Sequence, residues 1–156
     1  MTEESIIIGF SARFATSLRV FSELRGVFAE LTLWLLGRPL GRRDEPMAVY
    51  SFVCALEGMA KPGRDETLAA EVLHLRAADA WGRLEAEGSR FKAPPIDFFD
   101  DYEMYCVADE QTVRYLWQDC SEQDGAVHDA LLSRNEVDRV VGELRSMYEA
   151  LERRSC

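Results

Sequence analysis

"YEMYCVADEQTVRYLWQD", residues 102–119, decides how this chain folds. Both halves are rich in aromatic and β-branched residues, which fit a pleated, half-buried surface. "DEQ" interrupts them. The pattern predicts a β-hairpin, with one strand over "YEMYCVA", a turn at "DEQ" and a second strand over "TVRYLWQD". Strand side chains alternate between faces, so Val113, Tyr115 and Trp117 share one of them. A further short strand is expected at "AVHDALL" (126–132). Upstream, the double proline of "FKAPPIDFFDDY" (91–102) cannot continue a helix and reads as a connecting loop.

Nearer the start, "SIIIGF" (5–10) is a continuous apolar run, the signature of a strand buried on both faces. In "ARFATSLRVFSEL" (12–24), Phe14, Thr16, Leu18 and Val20 alternate as in a strand, while Phe14, Leu18 and Phe21 also fit a helix. The β-branched and aromatic content favours strand. "VFAELTLWLL" (27–36) is made of strand formers and is broken by Gly37, Arg38 and Pro39. Residues 5–41 therefore read as an antiparallel meander.

Helical periodicity takes over at residue 44. Asp44 and Glu45 precede Pro46, a helix-opening arrangement, and Val49, Phe52, Val53 and Leu56 form one face up to Gly58 and Pro62-Gly63. A second helix is expected from about 65 to 87, where Leu68, Val72, Leu75, Ala80, Trp81 and Leu84 recur at helical steps. The last helix starts at Ser133 and runs to about 152. Ser133 and Glu136 make a capping box, and Val137, Val140, Val141, Leu144, Tyr148 and Leu151 form its apolar stripe. The order β-β-β-α-α-β-β-β-α argues for an α+β fold, an antiparallel sheet with helices packed on one side. At 156 residues, 1–156 fits a single domain that needs no disulfide or metal to hold a core.

The charge is distributed unevenly. The chain carries −10 in all, yet residues 1–60 hold seven acids and six bases, a net of −1. Residues 97–129 hold Asp97, Asp100, Asp101, Glu103, Asp109, Glu110, Asp119, Glu122, Asp124 and Asp129 against Arg114, ten minus one, or −9. Such a field repels nucleic acid and anionic membrane and attracts basic partners; it also serves plain solubility. Phe98, Phe99, Tyr102, Tyr105, Tyr115 and Trp117 interleave with these acids. Alternation sends half of them inward and leaves Tyr102 or Tyr105 to face outward, and an aromatic anchor inside a charged rim is the anatomy of a protein-binding surface. Acids spaced along a strand can also imitate a phosphate backbone for a cationic groove.

Catalytic motifs are missing from the sequence. GxSxG, HExxH, the P-loop and GxGxxG do not occur. His74 and His128 have no second ligand at metal spacing. "GRPLGRR" (37–43) lacks the Gly-Lys-Ser/Thr that opens a phosphate-binding helix, and a hairpin turn with solvated arginines explains it. Asp97, Asp100 and Asp101 lack the glycine and the distal glutamate of a calcium loop. Cys54, Cys106, Cys120 and Cys156 form no CxxC pair, and Cys106 and Cys120 sit in the most anionic stretch, which disfavours a thiolate. No cofactor, metal or catalytic residue is expected. The chain shows neither a signal peptide nor a membrane span, which predicts a cytosolic protein with reduced thiols.

The segments "IIIGFSARFATSLRVF", "GVFAELTLWLLGRPLG", "FFDDYEMYCVADEQTVRYLWQD" and "ALLSRNEVDRVVGEL" together resemble immunity proteins of bacterial polymorphic-toxin systems. The shared features are an apolar-glycine start, a strand ending in a G-x-x-L-G turn, an F-D-x-Y-E strand, a hairpin ending in R-Y-L-W and a capped terminal helix. The resemblance implies a non-enzymatic protein that binds and blocks one cognate toxin. The partner-binding residues expected on that basis are Asp97, Asp100, Asp101, Tyr102, Glu103, Asp109, Glu110, Asp119, Glu122 and Asp124. The partner is then a basic toxin domain, not nucleic acid or membrane, and the chain is a monomer or weak homodimer. A competing expectation is a regulatory or adaptor domain that associates through the terminal helix, whose stripe with Met147 is wide.

Overall fold

The computed structural model describes residues 3–21, 25–41, 44–61 and 66–155. The expected helix start at Asp65, the Pro62-Gly63 stop, the end of the second strand at 22–24, Arg42 and Arg43 of the basic turn, and Cys156 lie outside the described residues. The fold is α+β with antiparallel strands, as the element order predicts. The strands divide between two sheets, joined by a shared core.

The first sheet is the expected meander. β1 (Glu3–Gly9), β2 (Phe14–Phe21), β3 (Phe28–Leu35) and β4 (Arg38–Leu40) lie side by side in chain order, and the short β5 (Met47–Ala48) also pairs with β3. Phe14 sits opposite Leu35, Leu18 opposite Leu31 and Val20 opposite Ala29, and all six point into the core. The opposite face carries Ser17, Arg19, Glu30, Thr32 and Trp34, none of them buried. β1 departs from the expected strand buried on both faces. It is the edge of the sheet and has one covered side, so Ile8 is 7% exposed while Ile7 is 70% exposed.

α1 (Val49–Met59) starts five residues later than Asp44. Asp44 adopts a positive φ of 70°, and residues 47–48 are drawn into the sheet, where Ala48 faces Phe28 and the Val49 amide donates to the Val27 carbonyl at 3.1 Å. Sheet hydrogen bonds outcompete the local helix signal here, and the acids at 44–45 do not reach the first turn.

The second sheet consists of β6 (Tyr102–Ala108), β7 (Thr112–Asp119) and β8 (His128–Ser133), with the hairpin register expected from the sequence. Val113, Tyr115 and Trp117 share one face, which packs with Met104 and Cys106 into the core of the first sheet; the Tyr115 ring stacks on Phe14 at 5.8 Å. The other face buries Tyr105, Val107 and Leu116 beneath α2 (Glu66–Val72) and α3 (Ala77–Ala86). Tyr105 meets Trp81 edge-on at 4.9 Å.

Those two helices replace the single one expected over 65–87. The break falls at 73–76, where the Arg114 side chain meets the backbone. This side chain is only 5% exposed and donates to the Val72 carbonyl at 2.8 Å and the Leu75 carbonyl at 2.7 Å. It adds a donor to the last carbonyl of α2, which also accepts from the Leu75 amide at 3.3 Å, and caps the Leu75 carbonyl in the turn that follows. Its remaining nitrogens pair with Asp129 at 3.0 and 3.1 Å. His74 therefore lies in an exposed turn, not in mid-helix.

α4 (Arg134–Ser155) closes the chain, entered through the expected capping box. The Glu136 amide donates to the Ser133 hydroxyl at 3.2 Å and the Ser133 amide to the Glu136 carboxylate at 3.4 Å. Val137, Val140, Val141, Leu144, Tyr148 and Leu151 are all buried in the chain's own core, and Met147 packs against them. The stripe is thus occupied by the chain's own core, which leaves the opposite face of α4 as the one an adaptor role would have to use. Arg145 locks α4 to α1 by a bidentate pair with Glu57 and lies over the Tyr50 and Tyr148 rings at 5.7 and 5.9 Å.

Replacing Arg114 by methionine is expected to lower stability by about 3 kcal/mol, since two helix-end carbonyls and a half-covered carboxylate lose their donor. Urea unfolding should show the shift in midpoint at unchanged slope.

Candidate partner-binding surface

The acidic ribbon is built by turn chemistry. Both faces of the β6–β7 hairpin are covered, so a free carboxylate has no place along its middle. The acids collect at its two ends, which a seven-residue strand holds about 20 Å apart.

At the hairpin tip sit Asp109 and Glu110. Asp109 has a structural role: its carboxylate accepts from the Gln111 and Thr112 amides, both at 2.7 Å, and from the Thr112 hydroxyl at 2.9 Å. These backbone donors hold its carboxyl below the usual range. Glu110 is exposed.

Seven acids gather at the open end. Asp97 begins a 3-10 turn (Asp97–Phe99), and Asp100 and Asp101 follow directly before β6. The Cys120 amide donates to the Asp101 carbonyl at 2.9 Å, and Tyr102 lies opposite Asp119, which brings the 97–101 turn beside the 119–124 turn. Asp119 accepts from the Ser121 amide at 2.9 Å, and Asp124 from the Ala126 amide at 3.1 Å. Glu103 is 3.5 Å from the Lys92 ammonium, and Glu122 is 2.8 Å from the His128 ring. Asp129, the remaining acid of the ribbon, lies near the start of the edge strand β8, opposite Leu116, and is paired with Arg114.

The aromatic residues behave differently from expectation. Phe98, Phe99, Tyr105, Tyr115 and Trp117 are all 5% exposed or less. Tyr102 is half-buried, and its hydroxyl accepts a hydrogen bond from the Gly41 amide at 3.0 Å. Burial pushes the Tyr102 hydroxyl above its ordinary pKa, and the Asp119 and Asp101 carboxylates push it the same way against the Gly41 donor. Gly41 is required at that contact: its φ is 133°, and a Cβ there would lie 2.4 Å from the Leu31 carbonyl oxygen. Of the two aromatics expected to face outward, Tyr105 is covered by α2 and α3, while Tyr102, on the opposite face of β6, stays half-exposed beside the core.

Apolar surface at this end comes from residues the sequence reading treated as a linker. Pro94, Pro95 and Ile96 form a ridge with a groove on each side. One, of about 220 Å³, lies against Met47, Ser51 and Phe52 and has Asp97 at its lip; the other, of about 130 Å³, lies against Phe99 and Met104 and carries Asp100 and Glu103. The signal that could have revealed them is the double proline itself, which holds a rigid crest above the buried Phe98 and Phe99.

Among the described residues, no group of three or more His, Cys, Asp or Glu side chains is placed to hold a metal ion, and no helix is long and apolar enough to cross a membrane. Cys54, Cys106 and Cys120 form no disulfide among the described residues, and Cys106 is buried in β6.

No protein-family model matches the chain, and no curated protein matches it. A similar solved structure is that of CdiI, a contact-dependent growth inhibition immunity protein, from Burkholderia dolosa AUO158. The likeness has a TM-score of 0.61 at 16% identity and covers 91% of this chain and 99% of that one. The layout-level resemblance to immunity proteins is thus borne out in the fold.

Glu136 carries the clearest pH dependence. Arg13 at 2.8 Å, followed by the Ser133 donors, holds its carboxyl below the usual range. A lowered folded-state pKa contributes stability above the ordinary carboxylate pKa of about 4, and that stability is lost as pH falls through the lowered value. Glu136→Gln should accordingly lose less stability than the parent between about pH 6 and pH 2.5, read from urea midpoints at each pH.

Proposed function

We propose that this chain is a non-enzymatic, cytoplasmic immunity-type protein that binds and neutralises a cognate, basic toxin domain. The observation that carries the reading is the near end-to-end likeness to CdiI. The location of the charge agrees with it. Asp97, Asp100, Asp101, Asp119, Glu122 and Asp124 lie on two adjoining turns, where they steer a cationic partner toward one end of the second sheet. Tyr102 and Glu103 complete that surface, and Asp109 and Glu110 form a separate, secondary patch at the hairpin tip. The partner is a protein, since a field of this sign repels nucleic acid and anionic membrane.

A toxin domain encoded beside this gene would provide the test. Co-expression of the two chains should restore growth to cells that the toxin alone arrests, and the purified pair should form a stable complex. Asp100→Lys with Asp101→Lys should slow association about tenfold at low salt and less at high salt, where the charges are screened. Glu110→Lys alone should have a smaller effect, being at the far end of the hairpin. Growth rescue with unchanged association rates in the double reversal would remove the open-end acids from the account. A chain that neither rescues growth nor binds the neighbouring toxin is not its immunity protein.

A further inference from the structure

We propose that the ridge at 94–96 is a docking site for two lysine or arginine side chains of the protein partner, one in each flanking groove. The inference deepens the reading of the chain as a binder of a cationic protein and rests on it.

The grooves combine two features that select one chemistry. Each groove joins an apolar floor to a polar rim: Leu31, Phe52 and Phe98 form the buried side of the larger, and Met104 and Phe99 that of the smaller. Pro95 and Ile96 line both, so the two slots lie on either side of one crest. Each mouth is anionic, with the exposed carboxylates of Asp97 at one and Asp100 at the other. Neither carboxylate makes an ion pair or side-chain hydrogen bond among the described residues.

A purely apolar group would fill such a slot and desolvate a carboxylate beside it without compensation. A hydrated inorganic cation would meet the carboxylate and gain nothing from the walls. Lysine and arginine satisfy both, since they bury a methylene stem along apolar surface and keep the charged head at the rim. Arginine is favoured at Asp97, where a planar guanidinium can also donate to both carboxylate oxygens. In the smaller groove Lys92 already faces Glu103 at 3.5 Å, with both side chains about half exposed, so an incoming cation meets Asp100 and shares or displaces that weak surface pair. Two cationic side chains on one face of the partner segment straddle the crest.

The test uses a six-residue peptide alternating arginine and serine, and a homologue in which each arginine is replaced by diaminopropionate, whose charge sits on a single methylene. Each is titrated at low salt into the isotopically labelled chain and followed by amide chemical shifts. The arginine peptide should perturb Ala48, Ser51, Ile96 and Tyr102 and bind about tenfold more tightly than the short-stem homologue. D97N/D100N, which removes the charge, and S51W, which fills the larger groove without changing charge, should each weaken the arginine peptide several-fold. E66Q/E110Q removes the same charge near the hairpin tip and should change affinity less than twofold. All these positions are exposed, and amide dispersion confirms that each variant is folded. Equal affinity for the two stems, with equal losses in the two charge-removing pairs, overturns the grooves while leaving a diffuse anionic surface intact. Absence of saturable binding by either peptide overturns the grooves and the anionic surface together.

Discussion

The buried guanidinium of Arg114 is the constraint on which the second half of the molecule depends. It is the one base in the 97–129 stretch, and it lies inside the protein, not among the surface acids. Its hydrogen bonds to Val72 and Leu75 meet the end of α2, and the pair with Asp129 ties that helix end to β8. An unbroken helix over 65–87 would present Leu68 and Val72 to the sheet and carry Trp81 and Leu84 past its edge. The break folds the second half back, so that all four close over Tyr105, Val107 and Leu116. A charge this deep is tolerated because its donors have acceptors: two carbonyls and a carboxylate.

Once both faces of the hairpin are covered, the location of negative charge follows. A carboxylate at the middle of the hairpin would require a buried partner; Asp129, on the neighbouring edge strand β8, meets one in Arg114. The others move to the ends, where tight turns leave amides pointing outward and short acidic side chains accept from them. Asp109, Asp119 and Asp124 are used this way. Part of the acid content of the ribbon is therefore local turn chemistry, and only the remainder is charge available to a partner.

This division explains what the sequence disclosed and what it withheld. The hairpin, the meander and the capping box were legible because neighbours in sequence make them: alternation and a three-residue reach suffice. Three features depend on distant partners and leave no local trace. Residues 47–48 are strand because β3 offers them hydrogen bonds; Ile7 is exposed because it shares the unburied sheet face with Ser17; the break after residue 72 is met by a side chain some forty residues later. The candidate surface divides along the same line. The excess of acids was countable, but the outward aromatic could not be checked without knowing that α2 and α3 cover that face, and the Pro94–Ile96 crest looked like mere linker.

Charge at exposed turns suits speed more than retention. An ion pair in open solvent contributes about 0–1 kcal/mol, and long-range attraction acts chiefly on the rate of encounter. A protein that must silence a toxin also needs slow release, and slow release comes from desolvated contact at a few anchors. The ribbon's aromatics cannot supply it, since all but Tyr102 are in the core and the Tyr102 hydroxyl is already held by Gly41. Ile7 and Phe10 are exposed, but they belong to the first sheet's free edge and the turn after it, not to the acidic turns. At the anionic end, the grooves beside Pro95 and Ile96 are where apolar contact and charge coincide. On the proposed function, steering and holding would fall to neighbouring residues of one segment, 94–103, in which two prolines precede a pair of phenylalanines packed edge-on at 5.0 Å.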